Sequence, residues 1–262
     1  MRRRSLTELA SNPDLISGIY NYCDRWCERC PLTARCLVFA TEQVDHNGSA
    51  ENHDHHNEAF WHKLDSVLED TQQMISEWAA EAGIDLTHTP EEEVKIRKHR
   101  RQLVDNHPLA RVGKKYANAA SDWFRQFDQN LEIGDLPAGN GQREQSEQLE
   151  DAREVIQWYQ YQIAVKIMRA LSCRDDGWED EPEMADFPKD SDGSAKVALI
   201  GIDRSIAGWR LMQLSLPDHA ESIVPLILQL ERVRKRVEKT FPEARGFVRP
   251  GFDEMLVAAA AT

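Results

Sequence analysis

Residues 192–212, DGSAKVALIGIDRSIAGWRLM, constrain the fold more than any other stretch of this chain. Ser194, Ala198, Gly201, Ser205 and Gly208 recur at spacings of four and three. On a helix they form a strip of small side chains along which a second helix can approach closely. Val197, Leu199, Ile200, Ile202 and Ile206 cover much of the remaining surface. A helix that is apolar nearly all round must be buried, so other helices have to surround it.

The rest of the chain fits such a surround. Apolar residues recur at three and four, and runs of alternating β-branched or aromatic residues are absent. Pro13 after Ser11-Asn12 predicts a helix start, and that helix is expected to reach about residue 29. Pro31 ends it and opens a second, carrying Cys36 to about residue 43. Residues 45–54, DHNGSAENHD, read as a linker. Long helices are expected over 55–82, closed by Gly83, and over 89–131, opened by a capping box at Thr89-Pro90 and broken near Asn106-His107-Pro108. Further helices are expected over 142–172, 194–214 and 217–240, with an acidic loop at 174–193. The fold class is all-α. It is a bundle of about four long helices (domain 55–262) behind a small cysteine-bearing helical pair (module 1–45).

Four of the five cysteines fall between residues 23 and 36, as C-x3-C-x2-C-x5-C. The three N-terminal arginines are followed by no apolar stretch of the kind a secretory leader needs, and no run of eighteen apolar residues occurs. A cytoplasmic location without membrane contact is therefore expected. Thiols stay reduced there, which turns clustered cysteines toward metal or redox chemistry. Cys23, Cys27 and Cys30 at i, i+4 and i+7 would share a helix face, so a stripe of small core residues is the plain alternative. It does not account for Cys36 or for the proline directly after Cys30.

Tetrahedral zinc holds its sulfurs about 3.8 Å apart. Seven residues of unbroken helix would separate Cys23 from Cys30 by about 10.5 Å. Either the helix unwinds before Pro31, or the bound object is larger than an ion, as a [4Fe–4S] cluster is. Cys23, Cys27, Cys30 and Cys36 are thus the expected ligands of an iron–sulfur cluster, with zinc as the alternative. Arg25, Arg29 and Arg35 bring positive charge close by, opposed in part by Asp24 and Glu28.

The stretch CERCPLTARCLVFA, fourteen residues from Cys27, resembles the core motif of the WhiB-like iron–sulfur proteins. The resemblance implies Cys27, Cys30 and Cys36 as ligands of a [4Fe–4S] cluster held on short helices. The family's remaining cysteine lies much further upstream than Cys23. Its glycine–tryptophan turn and basic DNA-contacting tail are not visible here, so the likeness does not extend to transcription control.

Other constellations are weaker. His55, Glu58 and His62 share a helical face and could present a second metal site; a solvated helix start is the plain reading. The basic stretch 95–115 follows Glu91, Glu92 and Glu93, where ordinary surface ion pairs are expected. With a net charge of −13, nucleic acid is not an expected partner. Lys196, Asp203 and Arg204 on the central helix need partners, and Glu154 and Lys166 are candidates. They form a structural ion network, or else, with Tyr159 and Tyr161, a catalytic site inside the bundle. Cys173 stands apart as a structural thiol.

Three functions follow. The first is an iron–sulfur protein in redox sensing or electron transfer, with a protein redox partner. The second is a zinc-stapled interaction scaffold. The third is an enzyme using Glu154, Lys196, Asp203 and Arg204.

Overall fold

A computed structural model describes residues 11–45, 58–86, 91–130, 140–185 and 187–254. Seven α-helices occur among them: α1 (Leu37–Asp45), α2 (Glu58–Ala82), α3 (Glu91–Asn106), α4 (Pro108–Asn130), α5 (Asn140–Asp176), α6 (Asp190–Ser215) and α7 (Ala220–Thr240). The described residues contain no strand, so the fold is all-α. Two compact units divide the chain. One is Met1–Tyr20 with Cys27–His99; the other is Asn21–Trp26 with Arg100–Thr262. The division runs through α3, and the linker expected between 45 and 55 lies almost wholly outside the described residues.

The expected helix over 13–29 does not form. The chain instead makes turns, with short 3-10 turns at Ile19–Asn21, Cys27–Arg29 and Thr33–Arg35. Asn12 accepts the Asp14 N–H on its side chain, an Asx turn that competes with helix initiation. Gly18 takes φ +72°, which right-handed helix excludes. Residues 14–16 close onto the turn before Cys36: the Ile16 N–H donates to the Arg35 carbonyl at 2.9 Å, and Arg35 Nε donates to the Asp14 carbonyl at 3.2 Å. The Cys36 carbonyl accepts the Ala40 N–H at 2.9 Å, so Cys36 stands at the threshold of α1.

Helix α2 ends as expected at Gly83. The Ile84 N–H donates to the Ala79 carbonyl (2.8 Å) and the Gly83 N–H to the Ala80 carbonyl (3.3 Å), a Schellman closure that needs the φ of +68° at Gly83. The Thr89-Pro90 capping box lies outside the described residues. The glutamates after it pair with the basic run as expected, Glu91 with Lys95 and Glu93 with Arg97, on exposed side chains.

The second unit is a four-helix bundle. Helix α4 packs on α5, α5 on α6, α6 on α7, and α7 on α4, closing a ring. The break between α3 and α4 falls at His107, where expected. Helix α5 runs to Asp176, four residues past the expected end, and α6 starts at Asp190, inside the expected acidic loop. What remains of that loop carries 3-10 turns at Trp178–Asp180 and Pro182–Met184.

The strip of small residues does what its spacing implies. A Cβ at Gly201 would stand 2.9 Å from the Tyr159 ring, and one at Gly208 3.0 Å from Ile156. Both neighbours are on α5, which therefore lies against α6 at backbone range. Trp209 fills the centre, fully buried, and its indole N–H donates to the buried Tyr116 hydroxyl at 3.0 Å.

Candidate metal centre

The four thiols sit on turns rather than on one helix face. Cys27 and Cys30 bracket a 3-10 turn, with the Cys30 N–H donating to the Cys27 carbonyl at 3.2 Å. The Leu32 N–H donates to Cys30 Sγ at 3.4 Å, across Pro31. A main-chain N–H aimed at a sulfur favours its anionic form. All five cysteines are unbridged and partly exposed. Among the described residues, no three His, Cys, Asp or Glu side chains are grouped as the ligands of one ion would be. The 10.5 Å helical separation that counted against zinc does not arise, because no helix carries Cys23 to Cys30.

Cys23 belongs to the six-residue segment Asn21–Trp26, which is part of the second unit. This strap is held by side chains of α5 and α6. Lys166 Nζ donates to the Asn21 carbonyl at 3.3 Å, and Trp158 Nε1 to the Asp24 carbonyl at 2.9 Å. Gln162 Nε2 donates to that same carbonyl. The Asp24 carboxylate accepts from the Tyr159 hydroxyl at 2.5 Å and from Arg204 at 2.8 Å. Arg204 also donates to the Tyr159 hydroxyl. Trp26 is buried and stacks on Trp158, ring centres 4.9 Å apart. Burial, then the Asp24 carboxylate, pushes the Tyr159 hydroxyl well above its ordinary range, so it stays a proton donor.

Tyr22 faces the start of α6. Its ring meets Phe247 at 4.7 Å between centres, and its hydroxyl bonds Asp190. Asp190 also takes Arg169 (3.0 Å) and the Cys173 thiol (3.3 Å). Burial pushes the Asp190 carboxyl up, but these donors and the Arg169 charge hold it below its usual value. Burial and the Asp190 carboxylate push the Cys173 thiol up to about 12, so Cys173 is an inert structural thiol. Burial lowers Lys166, and the neighbouring Cys23 opposes that shift.

The residues considered for a catalytic site inside the bundle are engaged apart from one another. Lys196 bridges to Asp253 at 2.9 Å and donates to the Phe247 carbonyl, fastening the chain after α7. Asp203 pairs with Arg234 (3.3 Å) and Arg245 (2.6 Å) on a part-exposed face. Arg204 serves the strap, Glu154 is exposed on α5, and Tyr161 is exposed. His55 lies outside the described residues, whereas Glu58 and His62 fall in the first turns of α2.

Sequence reasoning singled out Arg204 and Tyr159 but not their common partner. Asp24 lies 135 residues from Tyr159 and 180 from Arg204, and no periodicity links such positions. The only local hint was Asp24 and Trp26, polar and aromatic residues, set between two cysteines. Comparison with protein-family models, with curated proteins and with solved structures found no match.

Proposed function

We propose that Cys23, Cys27, Cys30 and Cys36 hold a metal centre, a [4Fe–4S] cluster in the first instance, and that the protein serves redox sensing or electron transfer in the cytoplasm with a protein redox partner. The observation that carries this reading is the Leu32 N–H donated to Cys30 Sγ, beside a proline, on a turn that also holds Cys27. Hydrogen bonds to sulfur stabilise thiolate ligands and tune cluster potential. The partly exposed, unbridged state of all four thiols leaves them accessible to a metal.

The turns around Cys27, Cys30 and Cys36 must close further for their sulfurs to share a ligand, since no three are grouped for an ion. Each is a one-turn 3-10 element or the edge of one. Such elements rearrange at small cost because they carry few backbone bonds.

A zinc staple is the second reading. It is favoured by the loss of the long helix, which removes the spacing argument against a small ion. Anaerobic purification followed by iron, sulfide and zinc analysis and an absorption spectrum separates the two. About four irons per chain with a broad band near 400 nm supports the cluster. One zinc per chain and no visible band makes the cysteines a staple. Neither metal, with the thiols free, rejects both.

A further inference from the structure

We propose that the elbow between α3 and α4 is a pH-sensitive latch: the neutral imidazole of His107 caps α4, and protonation of that ring releases the cap and loosens the elbow. The latch lies wholly within the second unit, uses no cysteine, and is independent of the metal centre proposed above.

His107 is held from both sides by the main chain. Its N–H donates to the Val104 carbonyl at 3.1 Å, closing α3, and its carbonyl accepts the Arg111 N–H at 3.0 Å, opening α4. Pro108 follows at the first position of α4. It has no N–H to satisfy and disfavours helical backbone at His107. The next donor, the Leu109 N–H, is one of those that the first turn of any helix leaves without a carbonyl partner. His107 Nδ1 accepts it at 3.1 Å. Serine, threonine, asparagine or aspartate usually fills this role. Histidine fills it with a ring whose ordinary charge change falls between pH 5 and 8. Val104 and Leu109 flank the elbow, 6% and 3% exposed, and both belong to the bundle core. A Leu109 N–H that loses the imidazole therefore has little water to turn to, and an unpaired donor there is costly.

An imidazole that accepts at Nδ1 carries its proton at Nε2. A second proton goes to Nδ1 and sets one donor against another. The surroundings oppose that proton. Burial lowers the affinity of the ring for it, and then the positive charge of Arg174, in the last turn of α5, lowers it further; Asp175 beside Arg174 acts the other way. The positive end of α4 also disfavours an imidazolium. The other charges about the elbow are paired or exposed. Asp105 on α3 bridges to Lys114 on α4 at 3.0 Å, Arg100 on α3 to Asp176 on α5 at 2.9 Å, and Arg174 to Asp175 at 3.3 Å, while Arg111 is exposed. The first two pairs hold α3 to its neighbours when the cap goes, so the opening is local to the elbow. A ring that binds its proton less readily folded than unfolded stabilises fully above the ordinary value of about 6.5, and that stability is lost as the pH falls below it.

The test uses the full-length protein with ¹⁵N-labelled histidines, titrated by NMR from about pH 8 to about pH 5, the range in which histidine changes charge. The His107 signals are identified by their absence from His107→Asn. The neutral ring is expected to carry its proton at Nε2 and to titrate below about 6.5. Arg174→Gln should raise that midpoint. Protection of the Leu109 amide, corrected for the intrinsic effect of pH on hydrogen exchange, should fall about fivefold or more across the titration, the worth of a typical cap. His107→Asn, which can cap without titrating, should keep its protection throughout, and His107→Ala should lack it throughout. If either variant fails to fold, the tautomer and midpoint of the unaltered protein still decide. A neutral ring protonated at Nδ1, a midpoint at or above about 6.5, or an equal fall of protection in His107→Asn overturns the latch.

Discussion

Replacing Gly193 by alanine should destabilise the bundle and unseat Tyr22, although alanine is the better helix former. Gly193 lies in the first turn of α6, and a Cβ there would stand 2.3 and 2.6 Å from two atoms of the Tyr22 ring and 2.7 Å from the tip of Phe247. None of these can yield cheaply. The Tyr22 ring is tied through its hydroxyl to Asp190, and Phe247 is 8% exposed and packs against it at a tilt of 57°. Overpacking of this kind costs about 1–3 kcal/mol. Removing glycine from a helix returns up to about 1 kcal/mol. The net expectation is a loss of about 1–2 kcal/mol, or about 2–8 °C in Tm for a domain of this size. Thermal melting by circular dichroism measures it. Gly113→Ala is the matched control: its nearest contacts are 3.3 and 3.4 Å, so the two terms should nearly cancel. Hydrogen exchange of residues 21–26 should rise in Gly193→Ala and not in Gly113→Ala. A Gly193→Ala protein as stable as the parent would refute the packing of Tyr22 against α6 and, with it, the seating of the strap.

Other perturbations follow from the same contacts. Trp26→Ala should lose about 3 kcal/mol in denaturant melts, because a buried, stacked indole is removed; a loss under about 1 kcal/mol would place Trp26 outside the core. Burial pushes the Asp253 carboxyl up, but hydrogen bonds from Arg249 and Lys196 outweigh it and hold the group well below the ordinary carboxylate range. A depressed carboxyl stabilises above its unfolded value of about 3.9, and that stability is lost as the pH falls toward the folded value. Asp253→Asn should therefore destabilise at pH 7, with the gap from the parent closing below about pH 4; a constant gap would show that the ion pair is not its origin. Iodoacetamide at pH 8 should label the metal-free protein at the four N-terminal cysteines well before Cys173, whose thiol is pushed up to about 12; mass spectrometry of the labelled peptides decides it.

The bundle was legible because its signals are periodic. The small-residue strip of α6 marked a face that another helix approaches closely, though not which helix, and Gly83 and Pro108 marked helix ends through backbone rules that hold locally. The N-terminal segment was misread for a physical reason. Residues 13–29 carry a helical apolar spacing, yet Asn12 turns the chain, Gly18 takes positive φ, and bundle side chains take the Asn21 and Asp24 carbonyls. Tertiary donors outbid an i→i−4 ladder that the sequence allowed. The ion partners were half legible: Lys196, Asp203 and Arg204 are all paired as burial requires, but Asp253, Arg234, Arg245 and Asp24 lie too far along the chain for spacing to reveal.

The central claim is that the four clustered cysteines, and not the fifth, hold a metal. Metal content per chain should be measured in five single Cys→Ser variants, each purified without oxygen. Cys23→Ser, Cys27→Ser, Cys30→Ser and Cys36→Ser should each lose most of the iron or zinc of the parent, and Cys173→Ser should keep it. Metal retained in all five variants, or absent from the parent, would contradict it.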